Sequence, residues 1–211
     1  MALVTISRQF GAGGLLLGER VCKKIGFRLI DEGSLNDIAR NAKVSPDWLE
    51  AVEKEAASNA LYLLSSIVSK GIFYRTPGLP SEEVERKKYI DTLTKIMKAM
   101  AEKGGYVIIG RGSQFILQDY PRSIHILLIS EYEKRVRLVA ETFKISDAKA
   151  MEMIREKEKE RSALATHIFK KNMDDPSYYH LVINTGKVPL ESAVEIVSAM
   201  TEDRISQERQ I

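Results

Sequence analysis

The sequence predicts an α/β fold in three layers, a mostly parallel sheet between helices, with helical inserts. Three observations point there. Short apolar runs at 3–6, 106–109, 124–129 and 181–183, with a weaker one at 27–30, are separated by helical stretches. The apolar residues in several runs are consecutive rather than alternating, as strands buried on both faces require. The strand–helix–strand order gives right-handed crossovers between parallel strands. At 211 residues the chain fits one domain with a substantial core.

Taken in order, the first run leads into Gly11-Ala12-Gly13-Gly14 and then a helix over 15–25. Leu15, Leu16, Val21, Cys22 and Ile25 fall on one helical side, and Gly26 is its stop. After the weak second run, Ser34 and Asp37 resemble a capping box. Ser45-Pro46-Asp47 is a helix start: a cap, proline in the first turn, and an acid near the positive end. No strand signal occurs over 45–103, so this stretch reads as a helical insert that turns at 76–80 (Thr-Pro-Gly-Leu-Pro). Ser81-Glu82-Glu83 opens its long last helix, which Gly104-Gly105 ends. Ser130 and Glu133 stand at capping-box spacing after the 124–129 run. A second, lid-like insert over 146–179 carries alternating charges at 155–161 and then Lys170-Lys171. An amphipathic helix over 189–200 follows, and the polar tail from Thr201 reads as frayed. The organisation is one domain: core 1–44, 104–145 and 180–200, with inserts 45–103 and 146–179.

Composition narrows the class. With 32 basic and 29 acidic residues the net charge is only +3, and basic residues are not interleaved with aromatics. A nucleic-acid partner therefore has little support. Cys22 is the single cysteine, so neither an intrachain disulfide nor a cysteine metal cage can form. No apolar run approaches the roughly 20 residues of a membrane span, and the N-terminus lacks a basic, signal-like start. The expected location is the reducing cytoplasm. His125, His167 and His180 lack metal-ligand spacing, and Trp48 reads as core of the first insert. The apolar stripe Leu61, Leu63, Leu64, Ile67 and Val68 serves either a second core or a homodimer contact.

The segment from Arg8 to Gly14 carries the clearest chemistry. Glycines let the backbone turn tightly, and a helix begins at once, so its positive end and the loop amides face one point. Arg8, Gly11, Ala12, Gly13 and Gly14 are thus candidate phosphate-binding residues. The strict pattern G-x-x-x-x-G-K-[ST] fails, because Arg8 replaces its first glycine, Gly14 its lysine and Leu15 its hydroxyl. Arg8 supplies charge from the other end of the loop, or is a solvated or ion-paired side chain. Gly110-Arg111-Gly112 follows the 106–109 run at the edge where open α/β sheets bind ligands. Flanking glycines give Arg111 room to grip a phosphate; the other reading is an arginine on a helix end.

The segments at 4–14 (VTISRQFGAGG), 24–31 (KIGFRLID), 107–112 (VIIGRG) and 175–185 (DPSYYHLVINT) together resemble the cytidylate-kinase-like family, a branch of the nucleoside monophosphate kinases. The resemblance runs nearly end to end. It implies a P-loop NTPase-like fold with a five-stranded parallel sheet of order 2-3-1-4-5, a monophosphate-binding insert and a lid. It also implies that the missing lysine is a branch trait. Asp31 matches an aspartate near the acceptor nucleotide, or else it is a helix cap. Arg111 matches the Gly-Arg of the kinases' Asp-Gly-Arg segment, an acceptor-binding and catalytic position, whereas Ile109 replaces the aspartate. Glu158 and Arg161 resemble the lid's Asp-x-x-Arg spacing. Arg161 is then a second candidate catalytic residue with Glu158 orienting it, or the pair is a solvated face. Asn184-Thr185 either lies near a donor base or is only a turn.

The expected function is a phosphotransferase that uses ATP, with Mg2+, to phosphorylate a small acceptor, a nucleoside monophosphate such as CMP being the resemblance's example. Its partners are small-molecule nucleotides. The competing expectation is a non-catalytic nucleotide-binding or regulatory module. Gly14, Leu15 and Ile109 at the three altered positions favour it.

Overall fold

The fold comes from a computed structural model that describes residues 2–35 and 83–208. Five strands, β1 (Leu3–Arg8), β2 (Arg28–Ile30), β3 (Tyr106–Ile109), β4 (Ser123–Ile129) and β5 (Leu181–Asn184), form one sheet. Every pairing is parallel and the order is β2-β3-β1-β4-β5. Among the described residues, besides a helical turn at 32–35, the helices are α1 (Gly14–Ile25), α2 (Glu83–Lys103), the short α3 (Ser113–Ile116), α4 (Tyr132–Phe143), α5 (Asp147–Leu164) and α6 (Leu190–Glu208). A π-helical turn, Ala165–Phe169, extends α5, and a 3-10 turn, Pro176–Tyr178, precedes β5.

β1 lies at the centre, in register with β3 from Leu3↔Tyr106 and with β4 from Leu3↔Ser123. Leu3, Val4, Thr5 and Ile6 are all fully buried, so its consecutive apolar residues serve two faces. Val4 and Ile6 pack with Leu17 and Val21 of α1 and Val194 and Val197 of α6. Leu3 faces the other side, with Leu93, Met97 and Met100 of α2 and Tyr106 and Ile108 of β3. The described last helix of the 45–103 stretch, α2, thus covers one face of the sheet. Gly104 then ends α2 by donating its N–H to the Met100 carbonyl at 2.8 Å. The helix start at Ser45, the turn at 76–80, Trp48 and the Leu61–Val68 stripe lie outside the described residues.

Three local expectations are corrected. Ser34 does not begin a capping box: residues 32–35 are already helical, and Asp31 caps that turn by accepting the Ser34 N–H at 2.8 Å. Ser130 does not cap α4 either. The N-cap is Glu131 with no side-chain bond, and the Ser130 N–H, which Glu133 would accept in a capping box, is held by Gln9 Oε1 at 3.1 Å instead. The tail from Thr201 is not frayed. α6 continues to Glu208, with Thr201 fully buried and its hydroxyl donating to the Val197 carbonyl at 2.7 Å. Helical i−4 bonding satisfies that polar group, so its polarity does not end the helix.

β4 holds a buried histidine. His125 Nδ1 lies 2.8 Å from Thr5 Oγ1, its Nε2 lies 3.1 Å from Ser123 Oγ, and its N–H donates to His180 Nδ1 at 2.9 Å. Burial, and then His180, push its pKa down from 6.5 to about 4. Neutral His125 therefore stabilises the fold fully above the unfolded value, and that contribution is lost as pH falls towards 4. The loss is at most about 3 kcal/mol. Urea denaturation should show stability dropping over this window in the natural chain, with a shallower drop in His125→Gln. Equal slopes would contradict the account.

Candidate active site

The carboxyl edge of the sheet brings together the loop after β1, the Gly110–Gly112 loop after β3 and the start of α4. The first loop is tied down at several points. Gln9 N–H donates to the Leu128 carbonyl at 2.9 Å, and Ala12 N–H closes a turn on the Gln9 carbonyl at 3.0 Å. The Thr185 hydroxyl lies 3.0 Å from the Ala12 carbonyl and 3.2 Å from that of Ile129. Gly11 and Gly13 are left-handed, with φ of +86° and +80°. A Cβ on Gly11 would lie 2.9 Å from the Arg135 carbonyl oxygen and 3.0 Å from Val139, so only glycine lets the loop lie on α4. Gly13 is the N-cap of α1 and brings no side chain to its first amides. Those N–H groups keep the positive end of the helix available to an anion.

Four arginines stand around this loop. Arg8 ends β1 and pairs with Glu32 at 2.8 Å, against Gly110. Burial pushes the Glu32 carboxyl up, but the charges of Arg8 and Arg111 and the Arg8 hydrogen bond outweigh it, so Glu32 lies below the usual carboxylate range. Arg135 donates from Nη1 to the Phe10 carbonyl at 3.2 Å and to Glu158 at 3.0 Å. Arg161 holds Asp174 through two hydrogen bonds, 2.8 and 3.2 Å, and stands 3.5 Å from Glu158. Burial opposes its charge, but Asp174 and Glu158 more than offset this and raise its pKa.

Arg111 differs. Among the described residues, its Nε and Nη2 are buried and have no hydrogen-bond partner. Its backbone is left-handed at φ 54°, between Gly110 at 76° and Gly112 at 68°. A non-glycine residue in that region carries about 1–3 kcal/mol of strain, which clusters at functional positions. The π-helical turn closes over this loop, with the Phe169 ring seated where Gly112 has no side chain.

Arg8, Gly11–Gly14 and Arg111 therefore gather at one edge, as their spacing suggests. Asp31 reaches the same edge but is used as a helix cap. Arg161 is joined to the loop through Glu158, which accepts the Phe10 N–H at 2.7 Å. Arg155 is exposed and takes no part in this set. Beside Arg161, a cavity of about 710 Å³ is lined by Glu158, Arg161, Thr166, Lys170, Lys171 and Asp174. Sequence reasoning missed Glu32 and Arg135. Glu32 directly follows the residue it selected, and Arg135 lies in the first turn after β4, at the same edge. Among the described residues no three metal-ligating side chains converge. Glu32 and Glu158, the carboxylates in this set, are each held by arginine.

A family model described as the cytidylate kinase-like family matches residues 3–187. The chain belongs to this family. Membership supports a nucleotide-dependent phosphotransferase in general terms. The fold is shared with an uncharacterised protein from Eubacterium ventriosum at TM-score 0.70 and 17% identity, covering 96% of this chain and 99% of that one. A shikimate kinase from Bacteroides thetaiotaomicron overlays at TM-score 0.47 and 14% identity, covering 95% and 98%, a likeness too distant to argue from. Over 102 residues, 48% of this chain, there is 30% identity to a uronate isomerase of Corynebacterium glutamicum. The match spans only 19% of that protein, so its activity does not transfer. Among the described residues no helix is long and apolar enough to cross a membrane.

Because Gly11 combines a left-handed backbone with contact to α4, Gly11→Ala should cost about 1–3 kcal/mol in urea denaturation. A loss below about 0.5 kcal/mol would mean that the loop does not lie on α4 as described.

Proposed function

We propose that this cytidylate kinase-like protein transfers the terminal phosphoryl group of a nucleoside triphosphate, ATP being the expected donor, to a small acceptor. A nucleoside monophosphate such as CMP is the acceptor class that the family suggests. The observation carrying this reading is Arg111, whose Nε and Nη2 are buried and, among the described residues, without a hydrogen-bond partner, at the same sheet edge as the glycine loop. Leaving such donors buried and unpaired is costly unless a ligand anion completes them. The fork of an arginine suits the two oxygens of a phosphate. The loop amides and the start of α1 would hold the donor polyphosphate, and Arg111 the acceptor's phosphate. An acceptor phosphate oxygen would attack in line, forming the new P–O bond while the nucleoside diphosphate leaves.

Such a reaction asks for positioning and charge stabilisation rather than covalent chemistry by the protein. Arg161, on the same helix as the Glu158 that touches the loop, would be the lid's contribution. The residues present do not fit a dedicated Mg2+ cage, since Glu32 and Glu158 are already neutralised by arginine. Magnesium usually relies on substrate phosphates and water for most of its ligands. It would therefore arrive with the triphosphate, and no step is assigned to it here.

A specific observation favours a second reading, a non-catalytic nucleotide-binding module. Arg8 and Arg161 are already committed to protein carboxylates, and Ile109 stands where the kinases have aspartate. Calorimetry with ATP and CMP, followed by a product assay over a panel of nucleoside monophosphates, separates the two. Turnover supports the phosphotransferase, whereas binding without any product supports the module. In an active preparation, Arg111→Ala should lower turnover by about a hundredfold or more while the melting temperature stays within a few degrees. Unchanged turnover in that variant would remove Arg111 from the mechanism.

A further inference from the structure

A loop that binds polyphosphate without a lysine needs positive charge from elsewhere in the chain. Arg135 is placed to give it. Its guanidinium touches the loop at the Phe10 carbonyl, and its side chain is only 11% exposed. Its Nε is buried with no hydrogen-bond partner, although Nη1 is fully used. The Arg135 backbone lies against Gly11, so α4 and the loop move as one piece.

Its present partner is informative. Glu158 Oε1 accepts both the Phe10 N–H at 2.7 Å and the Arg135 Nη1 at 3.0 Å, while its Oε2 lies 3.5 Å from Arg161. One carboxylate from the lid-like insert thus collects a loop amide and two guanidinium groups. These are the donors that a phosphate oxygen would need. A phosphate and a carboxylate cannot share one N–H at this range without strong like-charge repulsion. They can only exchange.

We infer that Glu158 is an internal anion that occupies the polyphosphate position, and that Arg135 is the cation replacing the absent lysine. Incoming polyphosphate takes the Phe10 N–H and the Arg135 guanidinium, and Glu158 leaves with α5. Arg135 stays, because it belongs to the helix packed on the loop. The inference rests on the phosphotransferase reading of the same loop.

The test is calorimetry on the full chain with two probes, inorganic tripolyphosphate and ATP with magnesium, in the natural protein, Glu158→Gln, Arg135→Ala and Arg135→Lys. Removing the competing charge in Glu158→Gln should tighten both probes about tenfold, and Arg135→Ala should weaken them about tenfold. Arg135→Lys should recover part of that loss. The Phe10 amide resonance should shift in Glu158→Gln before any ligand is added, and again when tripolyphosphate binds. If Arg135→Ala fails to fold, Glu158→Gln and Arg135→Lys carry the test. Binding that is unchanged or weaker in Glu158→Gln, or a Phe10 resonance that ignores bound tripolyphosphate, overturns the exchange and leaves the phosphate-loop reading standing. If neither probe binds the natural chain or Glu158→Gln at millimolar concentration, both readings fall. Probes that bind only Glu158→Gln support the exchange while counting against an active natural enzyme.

Discussion

The contact between Gly11 and α4 is the constraint from which the rest of this site follows. β1 is the central strand, buried on both faces, so its carboxyl end must deliver a loop into the middle of the sheet edge. α4 leaves the neighbouring β4 at the same edge and lies across that loop. Glycine is required at the crossing, because a side chain would meet the Arg135 carbonyl. Once the loop lies there, Gly13 turns left-handed, α1 begins without a capping side chain, and its amides stay open to the edge. The same crossing sets the Arg135 side chain against the Phe10 carbonyl. A backbone requirement thereby fixes an electrostatic one.

The charges around the loop are nearly balanced within the protein. Arg8 answers Glu32, Arg135 answers Glu158, and Arg161 answers Asp174. These pairs tie different elements together: the end of β1 to residue 32, α4 to α5, and α5 to the segment before β5. Among the described residues Arg111 alone of the four has two buried guanidinium nitrogens without a hydrogen-bond partner, although its charge acts on Glu32, and its backbone is the strained one. The mean structure is thus most unsatisfied at Arg111 rather than at the glycine loop. A ligand anion gains most by completing a donor that the fold has left buried and incomplete.

Much of this was legible in the sequence, and the parts that were not share a cause. Consecutive Val, Ile and Leu runs announced buried parallel strands, and all five strands lie where those runs are. Glycine clusters marked both ligand-edge loops, because few other residues tolerate left-handed backbone. The box expected at Ser130 and Glu133 does not form: the helix starts one residue later, and Gln9, 121 positions earlier, holds the Ser130 N–H. Thr201 read as tail because polarity hides a hydroxyl that bonds back along its own helix. The contact of Glu158 with Phe10 joins residues 148 positions apart. Local spacing carries no trace of it, and the charge alternation of 155–161 made Glu158 look like part of a solvated face. Sequence pattern is strong where backbone conformation or strand burial restricts residue type. It is weak where a surface-like residue is claimed by a distant element.

Loss of the lysine has a consequence for how such a site works. A lysine in the loop is a flexible ammonium that must be desolvated when the polyphosphate arrives, and that cost opposes binding. Here the guanidinium of Arg135 is already largely out of water and already bonded to an anion. On the inferred exchange, replacing a carboxylate by a phosphate would keep the local charge nearly paired throughout, with the released Glu158 returning to solvent. The cost moves from desolvating a cation to moving the helix that carries Glu158. If Glu158 exchanges with polyphosphate as inferred, binding and the position of its helix would be one equilibrium, and a ligand would shift that helix only by its advantage over the resident carboxylate. A weak anion leaves the site as it stands, whereas a polyphosphate, with more oxygens to offer Phe10, Arg135 and Arg111 together, is the kind of ligand that can displace it.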